Sequence, residues 1–204
     1  DNSVGQLNDE QQEICYIIKD SVNRLQRLIE DLLNFNIVLD STSLQDSEKI
    51  SLQPLLDNVL MDHQLDIKRK KLDIIQVSEE INIYSNAKQL KVVLDNILSN
   101  AINYSSYKGS ISISSELKNN QLQLSIEDNG PGIDLAIQKK IFDAFYQGPA
   151  PENSKVKGSG LGLTIVKELL MRLNGEINIE NKLGNNKGTK VEIVLPRAQL
   201  RGEE

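Results

Sequence analysis

Lys157-Gly158-Ser159-Gly160-Leu161-Gly162-Leu163 is the stretch from which the rest of the chain can be read. Three glycines alternate with small or apolar residues, and an apolar helical pattern follows directly. Glycine lets a backbone approach a ligand closely and adopt dihedrals closed to other residues. A glycine-rich turn running into a helix N-terminus presents unpaired N–H groups and a positive dipole end to an anion. The expectation is a phosphate cradle with Lys157 as added positive charge. An ordinary glycine-rich loop is the alternative for this stretch taken alone.

Two other stretches strengthen the cradle reading. A helix is expected from about 86 to 104, capped by Ser85 or Asn86, with Leu90, Val93, Leu94, Ile97, Leu98 and Ala101 as its buried face. Asn96, Asn100 and Asn103 share another face of that helix. Asparagine is a mediocre helix former, so three on one face need a reason. Asn100 can offer a carbonyl oxygen to a hard cation such as Mg²⁺, which prefers oxygen ligands and bridges to phosphates; a solvated polar face is the alternative. Asp128-Asn129-Gly130-Pro131-Gly132 follows a strand. A carboxylate there can accept a hydrogen bond from an exocyclic amine, as on adenine, while Gly130 and Gly132 keep the wall thin. The same residues also suit an ordinary turn.

Before these lies a long heptad pattern. Asn8 and Gln11 have capping-box spacing. Cys15, Val22, Ile29 and Asn36 take one core position; Ile18, Leu25, Leu32 and Leu39 take the other; Ile14, Leu28 and Phe35 widen the stripe. A 3-4 repeat of this length reads as a helix of a coiled coil or four-helix bundle, which cannot bury its stripe alone. Residues 1–40 carry eight acidic and three basic side chains, against 21 and 20 in the remainder, so a boundary is expected near residue 40. A linker is expected at 41–49, a second domain at 50–197 and a frayed tail at 198–204.

Within that second domain a short strand is expected at 50–52, a helix from Pro54 to about Arg69, and strands at 72–77 and 81–84. A hairpin is expected from 110–115 and 122–126, turning at Asn119-Asn120. A helix at about 134–144 precedes an irregular segment. Phe142 and Phe145 read as core residues. A helix over 161–173 ended by Gly175, and strands at 176–180 and 190–195, complete the domain. The fold class is α+β, a two-layer sandwich.

The net charge of −6 argues against general nucleic-acid binding. One cysteine excludes an internal disulfide framework, and one histidine excludes His-cluster metal sites. Cys15 fits a reducing compartment. No apolar run approaches the length that spans a bilayer, and the opening residues carry no secretory signal pattern.

Together the motifs carry a resemblance. Asp95 to Ser105 resembles the N box of sensor histidine kinases, Asp128 to Ile133 their first glycine box, Ile141 to Tyr146 their F box, and Gly158 to Leu163 their second glycine box. The resemblance covers roughly residues 50–196, in order and spacing. The chain is identified as a member of the gyrase/Hsp90/histidine-kinase/MutL ATPase superfamily, whose Bergerat fold sets its pocket between a mixed sheet and helices. The heptad helix resembles the second helix of the kinase dimerisation domain. The run from Phe145 to Gly160 resembles the QseE/GlrK-type subgroup.

The resemblance implies ATP and Mg²⁺ as ligands. It implies Asn100 on the metal, with Asn96 beside it near the phosphates. It places Asp128 on the adenine amino group, Tyr104, Gly130 and Gly132 about the base, and Lys157, Gly158, Gly160, Leu161 and Gly162 at the phosphates. Segment 146–158 would be a lid. The reaction would carry the γ-phosphoryl group to a histidine, mostly by positioning and charge neutralisation. Partners would be a second kinase protomer and a response regulator receiver domain. The piece would be cytoplasmic, its parent anchored in the bacterial inner membrane.

Two departures stand out. Asn103 and Gln147 occupy positions where relatives often carry Lys or Arg, and Lys155 or Lys157 is the candidate replacement. No histidine here matches the family's acceptor motif. His63 lies within the first helix of the second domain and reads as an ordinary helix residue. The expectation is a chain that starts after the acceptor and binds ATP without phosphorylating itself. The alternatives are a serine kinase of the anti-sigma-factor type, which lacks a heptad lead-in helix, and a nucleotide-binding regulatory module without transfer activity. A gyrase-type mechanical ATPase would need a following transducer domain.

Overall fold

The computed structural model describes residues 5, 7–40, 47–148, 159–182 and 187–197. The first element is α1 (Asp9–Asp40), a helix of 32 residues. Its start is a reciprocal capping box: the Gln11 N–H donates to Asn8 Oδ1 at 2.8 Å and the Asn8 N–H to Gln11 Oε1 at 3.0 Å. The expected stripe is present and bare. Ile14, Ile18, Val22, Leu25, Ile29 and Leu32 are all exposed. The side chains of Leu28, Phe35, Asn36 and Leu39 lie outside the described residues.

The domain proper opens with β1 (Glu48–Ser51), then α2 (Leu52–Asp62) and α3 (Gln64–Lys70). One helix was expected over 54–69; the structure breaks it at His63, whose φ of −95° and ψ of 4° leave the helical region. Pro54 stands in the first turn of α2, where its missing N–H costs no helical bond. Then come β2 (Asp73–Ser78), β3 (Asn82–Ser85) and α4 (Ala87–Tyr104). Asn86 caps α4 by accepting from the Gln89 N–H. The hairpin of β4 (Ser110–Lys118) and β5 (Gln121–Glu127) turns at Asn119-Asn120. Their φ values of 51° and 59° are those of a two-residue type I′ turn, which asparagine tolerates. Last come α5 (Gly162–Arg172), β6 (Glu176–Asn181) and β7 (Thr189–Pro196).

Five strands form one mixed sheet in the order β2-β4-β5-β7-β6, and β1 pairs with β3 in a separate ribbon. Only β2 and β4 run parallel in the large sheet. Such a pair needs a long crossover, which β3 and α4 provide. Ile111, Ile113, Leu122, Leu124, Ile126, Ile193 and Leu195 point from one sheet face into the core. Leu56 and Val59 of α2, the expected apolar face of α4, and Ile165, Val166, Leu169 and Leu170 of α5 cover them. Each such aliphatic side chain contributes about 1.5–3 kcal/mol by leaving water.

Two further expectations are corrected. Residues 134–144 form successive turns in place of a helix, with Ile137, Lys140 and Asp143 N–H groups each donating to the carbonyl three residues back. Phe145 is 66% exposed, so it is no core residue. Gly175 closes α5 as expected: its N–H donates to the Leu170 carbonyl at 2.7 Å, after Asn174 turns left-handed at φ 53°. Gly175 is needed because a β carbon there would meet Leu195 at 2.5 Å and the Val194 carbonyl at 2.8 Å.

Candidate functional site

The site is built along α4. At its C-terminal end, the Tyr104 carbonyl would lie 2.6 Å from a β carbon on Gly130, so the turn after β5 packs directly on the helix end. Nearer its start, Asn96 Oδ1 would lie 2.5 Å from a β carbon on Gly162, so the start of α5 packs on Asn96. Eight residues at 1.5 Å rise put these contacts about 12 Å apart along the helix, with Asn100 midway. The helix thereby links the first glycine segment to the second.

Asp128 is 6% exposed. Its Oδ1 accepts from the Gly130 N–H at 2.7 Å and the Thr189 N–H at 3.1 Å. Burial raises its carboxyl above the usual aspartate range, against the opposing pull of those N–H groups, the Thr189 hydroxyl and Lys182. Its backbone N–H donates to the Thr189 carbonyl at 2.9 Å. At the other end of the turn, Asn181 Oδ1 accepts from the Ile133 N–H and Asn181 Nδ2 donates to the Ile133 carbonyl, both at 2.7 Å. Gly132 sits between at φ 80°, where a β carbon would stand 2.9 Å from Asn181 Oδ1. Asn129 turns away and accepts from the Ser110 N–H at 3.2 Å.

Tyr104 is 37% exposed, and burial of its ring raises its hydroxyl pKa. The C-terminal carbonyls of α4 are held by Lys70 from α3. Its Nζ donates to the carbonyls of Ile102 at 2.8 Å, Asn103 at 2.6 Å and Ser105 at 3.0 Å. A cation there also opposes the negative end of the helix dipole.

Asn100 is half-buried and its amide makes no hydrogen bond to another described residue. Asn96 Nδ2 donates to the Val92 carbonyl at 2.9 Å, which leaves its oxygen facing Gly162. Asn103 is exposed. Among the described residues no cluster of three His, Cys, Asp or Glu side chains can hold a metal. An ion here would rest on an amide oxygen, water and the ligand's own phosphates, a donor set that suits Mg²⁺.

Among the described residues no side chain caps α5, and its first N–H groups, as in any helix, have no intrahelical partner. Leu161 donates its N–H to Ser159 Oγ at 3.1 Å. Gly160, at φ 80°, accepts from the Phe145 N–H at 2.9 Å, and a β carbon on it would strike the Phe145 and Tyr146 backbone at 2.7 Å. The Thr164 hydroxyl donates to the Phe142 carbonyl at 3.0 Å. Segment 141–146 is thus fastened across the start of α5. Lys155, Lys157, Gly158 and most of the expected lid lie outside the described residues.

The structure therefore brings together Asn96, Gly160, Leu161 and Gly162 at one end, and Tyr104, Asp128, Gly130 and Gly132 at the other. Sequence reasoning missed Lys70, Asn181 and Thr189. Nothing in their local sequence flags them, since each acts on a segment at least 32 residues away.

A family profile described as "Histidine kinase-, DNA gyrase B-, and HSP90-like ATPase" matches residues 85–199. The sensor histidine kinase GlrK of Escherichia coli K12 is 31% identical over 193 residues, covering 95% of this chain and 40% of GlrK. The chain thus spans about two fifths of the length of that relative. The full-length ShkA structure, in complex with AMPPNP, superposes with a TM-score of 0.73 at 22% identity, over 95% of this chain and 40% of that one. The histidine kinase ThkA, in complex with the response regulator TrrA, gives 0.71 at 22%, over 94% and 53%.

Proposed function

The chain belongs to the histidine kinase-, DNA gyrase B- and HSP90-like ATPases, and from that premise we propose that it is the ATP-binding catalytic portion of a sensor histidine kinase. The carrying observation is Asp128: a buried carboxylate at the end of a central strand, beside Gly130 packed on the end of α4 and Gly132 packed on Asn181.

In this reading Asp128 accepts the adenine amino group while Tyr104, Gly130 and Gly132 line the base. The phosphates lie toward Asn96 and the uncapped start of α5, with Gly160, Leu161 and Gly162 close to them and Lys157 and Gly158 supplied by the neighbouring segment. Asn100 holds Mg²⁺, which when bound neutralises the charge that develops on the phosphates. The chain's own residues bind, orient and align the γ-phosphoryl group.

The acceptor is a histidine elsewhere than His63. The His63 Nε2 is bonded to Asp95 at 2.9 Å and the side chain is only 17% exposed, so the ring is poorly placed for an in-line approach. The bare stripe of α1 supports a dimerisation helix that pairs with other helices of the same kind. It favours this reading over a serine kinase of the anti-sigma-factor type or a regulatory module. A second kinase protomer and a response regulator receiver domain are the expected partners. Residues 1–40 would belong to the dimerisation domain and 50–197 to the catalytic domain, with 41–49 between them as a linker whose last two residues, Glu48 and Lys49, join β1. Among the described residues no helix is long and apolar enough to cross a membrane; a bilayer anchor in the parent is part of the proposal.

Incubation with γ-labelled ATP and Mg²⁺ tests the reading. The chain alone should take up no label, and an added acceptor-helix fragment should gain acid-labile phosphohistidine. Acid-stable label on a serine would favour the serine-kinase alternative. No ATP binding by calorimetry would sink both.

A further inference from the structure

The turn at 128–133 is gripped at both ends by one cross-strand pair. Asn181 of β6 and Thr189 of β7 stand opposite each other in register. Thr189 holds Asp128 through two backbone bonds, and Asn181 holds Ile133 through two side-chain bonds. The Asn181 amide matches the backbone of Ile133 donor to acceptor and acceptor to donor, as a neighbouring strand would. Between these anchors only Pro131 and three half-buried or buried residues remain, with Gly132 held close to Asn181.

We infer that Asn181 is a positioning residue that fixes the base-facing wall of the nucleotide site and so sets its selectivity for adenine. The inference rests on the nucleotide reading above. Asn181 touches no ligand in this view. It acts through Ile133 and Gly132, holding the glycine backbone where a planar base would lie. Releasing Ile133 leaves the turn anchored only in its first half, at Asp128, Asn129 and Gly130, and frees the half that holds Gly132. The wall can then shift to admit a base with a different edge.

Asn181→Asp is the sharpest variant because it keeps the size and the acceptor for the Ile133 N–H. It replaces the donor with a carboxylate oxygen facing the Ile133 carbonyl. Asn181→Ala removes both bonds. ADP and GDP affinities of the full chain would be measured by calorimetry, with melting temperature and Ile133 amide exchange alongside. Both variants should weaken ADP about tenfold, the effect of one or two lost hydrogen bonds, with GDP changed much less. The ADP/GDP ratio should fall in step.

An unchanged ratio in Asn181→Asp, with Asp128→Ala abolishing ADP binding, would overturn the inference and leave the nucleotide reading intact. If the unsubstituted chain fails to bind ADP, it is the nucleotide reading that fails. If neither variant folds, the unsubstituted chain still decides. Its Ile133 amide should be protected from exchange without nucleotide, and rapid exchange there would overturn the grip.

Discussion

Asn96 Oδ1 occupies the space next to Gly162, 2.5 Å from where a β carbon would stand. This contact joins the middle of α4 to the first residue of α5, and no side chain larger than hydrogen fits there without movement. Gly162→Ala should therefore push the Asn96 amide aside; because that amide is the end of a side chain, the net loss should be at most about 1 kcal/mol, although alanine is the better helix former. Adding Asn96→Ala should recover most of that loss. Denaturant titration of the two single variants and the double variant measures the coupling; strict additivity would show that the two residues do not compete for space.

Asp128 serves the fold and the proposed site at once. Asp128→Ala removes the acceptor for the Gly130 and Thr189 N–H groups, so it should cost about 1–3 kcal/mol of stability and also abolish measurable ADP binding. Asp128→Asn keeps an acceptor oxygen for the two N–H groups. It should melt closer to the unsubstituted chain while still binding ADP at least tenfold more weakly. An Asn variant with full affinity would remove Asp128 from the base site.

Lys70 donates to three carbonyls at the end of α4. Lys70→Met keeps the aliphatic stem and loses the ammonium. Urea denaturation should show a loss of about 1–3 kcal/mol, the range for hydrogen bonds from a charged donor. Lys70→Arg should fall between the two, because a planar fork cannot converge on three carbonyls as a compact ammonium does. A Met variant as stable as the original would mean that water replaces the ammonium at no cost.

His63, between α2 and α3, bonds Asp95 of α4, and that hydrogen bond raises its pKa, against the opposing effect of burial. Asp66 and Asp62 raise it further. Its folded pKa thus lies above the unfolded value, so the folded state binds more protons between the two. The stabilisation is full below the ordinary histidine value, about pH 6.5, and is lost as pH rises through the raised folded value. Melting temperature should decline across that window and His63→Gln should flatten the profile. A decline of equal size in the Gln variant would assign it to other groups.

The local elements were legible because each is written in short-range chemistry. The α4 face from Leu90 to Ala101 carries helical spacing and is buried as expected. The Asn119-Asn120 turn follows from the tolerance of asparagine for positive φ. The glycine segments were legible as places of close approach. Residues 134–144 were misread because Ile137 and Ile141 stand four apart, as on one helix face, whereas segment 141–146 is tied to Gly160 and Thr164. Phe145 was misread for a related reason: its φ of 64° is imposed by that tie and turns the ring outward.

The sequence by itself determined the strands, most of the helices, the stripe of α1 and the identity of the three segments of the candidate site. Those features depend on periodicity, caps and backbone freedom, which neighbouring residues carry. Only the tertiary structure decided what Gly160, Gly162 and their surroundings amount to. Asn96 meets Gly162, Tyr104 meets Gly130, and the Asn181–Thr189 pair clasps the turn between Asp128 and Ile133. These contacts arise from sheet order and register, and both are fixed by how the helices and strands share one core rather than by any local signal.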